Sequence, residues 1–146
     1  ATYLGASEVV GVNSGTDALL LSLISLGIGP GHEVITQANT FHATVSAIWL
    51  SGATPVLVDA QEDTFLMDMD AVSGALTPQT RAVIPVHLYG KPTPLAGLVS
   101  QLAGRAAIIE DAAQAHGARV DGRRVGTIGD LGCFSFHPSK NLAAAG

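Results

Sequence analysis

Three residues near the ends of apolar runs carry side chains suited to chemistry on a bound ligand. Asp111 closes Ala-Ala-Ile-Ile-Glu-Asp, Gln114 follows three residues later, and Lys140 lies just past Cys-Phe-Ser-Phe. Open α/β sheets bind ligands beyond the carboxyl ends of their strands, where such groups would stand. A fourth candidate is Asn13-Ser14-Gly15-Thr16, ahead of an apolar helical stretch. Ser14 is suited to cap that helix, and Gly15 lets a ligand approach the unpaired N–H groups of its first turn. Helix starts of this kind attract anions, phosphate above all. Singly, each residue is ordinary, because cap serines, turn aspartates and solvated loop lysines are common.

The elements that must position these residues alternate regularly. Strands are expected at 33–36, 55–59, 82–88, 106–111 and 133–136, and helices at 16–26, 42–50, 70–76 and 95–103. Three of the strands are almost continuously apolar, as in strands covered on both faces. Strand–helix alternation reads as an α/β fold with a mainly parallel sheet and flanking helices. Residues 18–26 are Ala, Leu and Ile apart from Ser22 and Ser25, so this helix is expected to be buried on nearly every side. Gly27 suits its C-terminal cap, and Pro30 blocks continuation. Val120-Asp121-Gly122-Arg123 carries the signature of a tight hairpin.

Taken together and in order, the motifs resemble one family. Ser14-Gly15-Thr16-Asp17-Ala18-Leu19, Asn39-Thr40-Phe41, Glu110-Asp111-Ala112-Ala113-Gln114-Ala115-His116-Gly117 and Phe134-Ser135-Phe136-His137-Pro138-Ser139-Lys140-Asn141-Leu142 closely resemble the DegT/DnrJ/EryC1/StrS family. Its members are pyridoxal 5'-phosphate-dependent aminotransferases of the aspartate-aminotransferase fold type, acting mostly on nucleotide-linked keto sugars. The resemblance implies that Lys140 forms a Schiff base with the cofactor aldehyde and then shuttles the substrate proton. It implies that Asp111 pairs with the pyridine nitrogen and keeps it protonated, so that the ring accepts electrons. Gln114 would bond the phenolic oxygen and Phe41 would stack on the ring. Gly15, Thr16 and Ser135 would hold the phosphate. Asp17 is expected to point away from that anion. Relatives that dehydrate sugars carry a histidine at the position of Lys140, so the lysine favours transamination. His137 stands where many members have Tyr.

Other chemistries find less support. Gly27, Gly29 and Gly31 follow a helix rather than a strand, which is not a dinucleotide fingerprint. The five histidines (His32, His42, His87, His116 and His137) show no metal-binding spacing, and no metal is expected. Among them, His87 and His116 lie nearest the expected pocket. Cys133 is alone and reads as a buried core thiol. A pure binding or regulatory fold has no need of a Schiff-base lysine.

Composition bounds the rest. Seven basic against 12 acidic residues give a net charge of −5, which disfavours a nucleic-acid partner. No segment is long and apolar enough to suggest a membrane span, and a cytoplasmic enzyme is expected. Only 13% of the 146 residues are charged, against roughly 25% in an ordinary soluble domain. So sparse a charge is expected of a chain whose surface meets more protein. The resemblance implies that residues 1–146 are a partial large domain of a homodimeric enzyme. The N-terminal segment and small C-terminal domain would lie elsewhere, and the fragment would be inactive alone. The implied small-molecule partners are an amino-acid donor, glutamate, and a nucleotide-linked keto sugar.

Overall fold

The computed structural model describes residues 1–144; Ala145 and Gly146, the end of the expected 1–146 unit, lie outside the described residues. Five strands form the main sheet: β1 (Glu33–Gln37), β2 (Thr54–Val58), β3 (Thr80–Ile84), β4 (Ala107–Asp111) and β7 (Leu131–Cys133). All run parallel, in the order β2-β1-β3-β4-β7. Helices α1 (Gly15–Ser25), α2 (His42–Leu50), α3 (Met69–Ala75) and α4 (Ala96–Leu102) flank it. The mainly parallel α/β architecture is thus the one expected. No helix among the described residues is long and apolar enough to cross a membrane.

Both faces of the inner strands β1, β3 and β4 are buried, which explains their apolar runs, whereas the edge strand β2 is partly open. Val34, Ala82, Ile84 and Ile109 join Leu19, Leu23, Ala47 and Ile48 of α1 and α2 in one core. Their neighbours Ile35, Val83 and Ile108 turn the other way, toward Val72 of α3 and Leu98 and Leu102 of α4. The period of two along each strand separates these sets. It also sends Glu110 and Asp111, adjacent in sequence, to opposite faces.

Local signals set the ends of α1. Ser14 Oγ accepts from the Asp17 N–H at 3.0 Å, the expected N-cap. At the other end the Gly27 N–H bonds Ile24 O and the Ile28 N–H bonds Leu23 O, both at 2.9 Å, with Gly27 at φ 68°. This is a Schellman cap, closed by Ile28 and Leu23 in the same core. Strands β5 (Arg119–Val120) and β6 (Arg123–Arg124) form the expected hairpin. Asp121 and Gly122 both take positive φ, 48° and 79°, as a two-residue turn of this hand requires.

Three expectations need correction. Helix α1 is not buried all round: Leu19 and Leu23 are covered, whereas Leu21 is 47% and Ile24 54% exposed. One side of a helix suffices to cover a sheet, and nothing among the described residues covers the other. Strand β7 runs over Leu131–Cys133 rather than 133–136, because its partner β4 ends at Asp111. The Ala112 N–H takes Cys133 O at 2.8 Å, and beyond it residues 134–136 have no strand to pair with. Strand β3 ends at Ile84, ahead of Pro85, which has no N–H to donate. Pairing resumes only as a bridge between Val86 and Asp111.

Candidate functional site

The sheet delivers Asp111 to its carboxyl edge, where the side chain is buried against α2. Asp111 Oδ2 accepts from Thr44 Oγ1 at 2.8 Å, and Oδ1 from the Ala113 N–H at 3.1 Å. Thr44 Oγ1 also lies 2.8 Å from Thr40 Oγ1. With Thr44 donating to the carboxylate, Thr40 must donate to Thr44, so the hydroxyls form a directed relay. Burial pushes the Asp111 carboxyl above its ordinary value, and Thr44, Ala113 and Lys140 only partly oppose this. Thr44 was not among the expected site residues. Its only sequence signal is a threonine pair at i, i+4 at the start of an apolar helix.

Lys140 stands in the segment leaving β7, where its N–H bonds His137 O at 2.8 Å. Its Nζ lies 5.5 Å from the centroid of the exposed Phe41 ring. With Tyr89, Gln114, Ser139 and Asn141 it lines a cavity of about 360 Å³. Gln114 Oε1 accepts from the Tyr89 N–H at 2.7 Å, which commits the oxygen and leaves the side-chain NH₂ to donate elsewhere. Asn141 Nδ2 donates to Gln114 O at 2.9 Å and ties the lysine segment to the end of β4.

The start of α1 meets the same segment. A methyl group on Gly15 would stand 2.8 Å from Ser135 Cβ, so only glycine allows the helix start this close to the buried serine. Thr16 sits in the same first turn, half-buried. The fold therefore brings Gly15 to Ser135, Phe41 to Lys140, and Lys140 to Gln114.

The histidines divide by role. His87 is not at the cavity wall: it is fully buried and bonds Glu110 Oε2 through Nε2 at 3.0 Å. Its place in the core corrects the expectation of a pocket residue. His116 lies between Phe134 and Phe136, 5.6 and 5.2 Å between ring centroids. Both its ring nitrogens are buried, and burial holds its pKa below the ordinary imidazole value. His137 organises the lysine turn, since its Nδ1 bonds Ser139 Oγ at 2.8 Å and accepts from the Ser139 N–H at 3.2 Å. Cys133 is buried as expected, and burial pushes its thiol up to about 11.

Comparison with known proteins decides the family. The sequence profile of the DegT/DnrJ/EryC1/StrS aminotransferase family matches residues 1–146. The chain belongs to this family. It is 50% identical to a UDP-N-acetyl-3-dehydro-alpha-D-glucosamine 3-aminotransferase of Acidithiobacillus ferrooxidans, over 97% of this chain and 39% of that protein. A dTDP-3-amino-3,4,6-trideoxy-alpha-D-glucose transaminase of Streptomyces venezuelae is 51% identical, over 100% of this chain and 39% of that protein. Among solved structures, S. venezuelae DesV in complex with a ketimine intermediate superposes with a TM-score of 0.96 at 49% identity. That match covers 99% of this chain and 39% of DesV. The chain thus spans about two fifths of the length of these family members.

Proposed function

We propose that this chain is the cofactor-binding core of a pyridoxal 5'-phosphate-dependent aminotransferase. The enzyme moves an amino group from an amino acid, glutamate, to a nucleotide-linked keto sugar in deoxyamino-sugar biosynthesis. One observation carries the reading: Lys140 stands near Phe41, shares a cavity with Gln114 and acts on the charge of a buried Asp111, whose carboxylate has no ion-pair partner among the described residues. A buried carboxylate without a cation is costly, and a protonated ring nitrogen would complete it. The residues fit the cofactor at its other end too, because the close approach of Gly15 to Ser135 forms a donor-rich cradle beside a helix start.

In this reading Gly15, Thr16 and Ser135 hold the phosphate, Phe41 lies on the ring face and Asp111 holds the ring-nitrogen proton. The NH₂ of Gln114 is free to donate to the phenolic oxygen, its oxygen being committed to Tyr89. Thr44, held by Thr40, orients Asp111 and favours its charged form against burial. When bound, the cofactor supplies the aldehyde that receives the amino group and a ring that accepts electrons. Lys140 anchors that aldehyde through its amine and afterwards holds and delivers the substrate proton. The amine belongs to a longer, homodimeric, cytoplasmic polypeptide, and residues 1–146 alone do not turn over substrate. Support for the sugar substrate comes from the two relatives above, both named for sugar amination.

The test uses the full-length protein. Incubation with pyridoxal phosphate, borohydride reduction and peptide mapping are expected to place a covalent adduct on Lys140, with none in Lys140→Ala. A folded wild-type protein that gains neither visible absorbance nor an adduct would sink the reading in favour of a binding role.

A further inference from the structure

Glu110 has no part in the chemistry proposed above, yet it is fully buried. Its carboxylate meets four donors. Oε2 accepts from His87 Nε2 at 3.0 Å and the Gly126 N–H at 2.7 Å; Oε1 accepts from the N–H groups of Ile128 at 2.6 Å and Gly129 at 2.7 Å. The His87 tautomer follows from its other contact. A backbone N–H can only donate, and that of Thr93 lies 2.9 Å from His87 Nδ1. Nδ1 is therefore bare, and the ring proton sits on Nε2, facing Glu110. Burial pushes the Glu110 carboxyl up, but His87 and the three backbone N–H groups outweigh it and hold the value below the ordinary one. An amide or protonated carboxyl here would set a hydrogen against a donor.

Both groups that Glu110 grips lead into the candidate site. On one side, His87 opens the turn in which Tyr89, at φ 54°, donates to Gln114. On the other, the turn at 126–129 feeds β7 and so Ser135 and Lys140. That second turn lies hard against its neighbours: a methyl on Gly129 would stand 2.6 Å from Ile108 O, and one on Gly132 2.1 Å from Gly126 O. Such a turn has little freedom to find other partners for its N–H groups. Resting on the functional reading above, we propose that Glu110 is a positioning residue, whose buried carboxylate locks the Tyr89–Gln114 turn and the segment 135–140 in one relative placement.

The experiment compares full-length wild type, Glu110→Gln and Leu98→Ala, the last removing a buried α4 side chain that makes none of these hydrogen bonds. In the wild type, nitrogen NMR of labelled histidine is expected to show His87 neutral and protonated on Nε2, with slow hydrogen exchange at Gly126, Ile128 and Gly129. At matched loss of thermal midpoint, E110Q is expected to bind pyridoxal phosphate about tenfold or more weakly than L98A. Faster exchange in E110Q should be confined to residues 87–93 and 126–140. Equal cofactor affinity in the two variants would overturn the proposal, as would an Nδ1–H His87 or unprotected turn amides in the wild type. If the wild type binds no cofactor, the functional reading fails instead. The exchange map then decides positioning, a uniform loosening overturning it. Should E110Q not fold, Glu110→Asp, which keeps the charge but withdraws it by one methylene, takes its place in the comparison.

Discussion

Two adjacent carboxyl groups respond to pH in opposite senses. Asp111, its value raised by burial, contributes stability while protonated, below the ordinary aspartate range, and loses it as pH climbs through its folded value. Glu110, its value lowered despite burial, contributes above the ordinary glutamate range and loses that as pH falls through its folded value. Above the folded value of Asp111 the cofactor-free protein therefore carries an unfavourable charge there. Asp111→Asn is expected to raise the thermal midpoint of the cofactor-free protein at pH 7 while abolishing transamination; a lowered midpoint would contradict this account. Thr44→Val should do the reverse, costing about 1–3 kcal/mol by denatured-state titration, because a buried acceptor loses its donor. Asp111, Gln114 and Lys140 were legible in the sequence because each sits in a contiguous motif. The contacts of Thr44 and Glu110 were not, since their partners lie 67 residues away and 16–23 residues away respectively.

At the scale of elements, glycines mark where backbone meets backbone. In β7, a methyl on Gly132 would fall 2.1 Å from Gly126 O, a contact only main-chain movement can relieve. Gly132→Ala is expected to destabilise by about 3 kcal/mol or more and to displace Ser135 and Lys140. Gly74 is exposed inside α3, where an added methyl would meet nothing within 4 Å and φ is not positive. Gly74→Ala should therefore stabilise by about 0.4–1 kcal/mol. Paired urea denaturation curves check both signs, and two changes of the same sign would refute the steric account. The caps of α1 and the Asp121-Gly122 turn were readable because their partners lie within a few residues. The end of β7 was not, because where a strand stops depends on where its neighbour turns away.

For the whole molecule, the sparse charge of the sequence reappears as uncovered apolar surface. Ile24 of α1 is 54% exposed and Trp49 of α2 is 71% exposed, while Leu50 and Leu57 are also open. Apolar surface of this kind is expected to meet more protein. The isolated 146-residue chain is expected to self-associate, and the double substitution Ile24→Glu, Trp49→Glu to reduce that association without altering its far-ultraviolet circular dichroism. Light scattering at several concentrations reads the outcome; an unsubstituted chain that stays monomeric would count against the covered-face account. In the full-length protein the same pair tests whether this side takes part in the proposed homodimer.

By itself, the sequence determined the parallel α/β architecture, the order of its elements, the caps of α1 and the hairpin turn. Those features depend on the apolar period and on hydrogen bonds spanning a few residues. It also carried the motifs that place the chain in its family. Only the tertiary structure decided that α1 has an open side, that β7 ends at Cys133 and that His87 belongs to the core. It alone joined Thr44 to Asp111, Gly15 to Ser135, and Glu110 to His87 and the turn at 126–129. The reason is the range of the interactions: periodicity and capping are local, whereas a buried charge finds its donors only once distant segments have been folded around it.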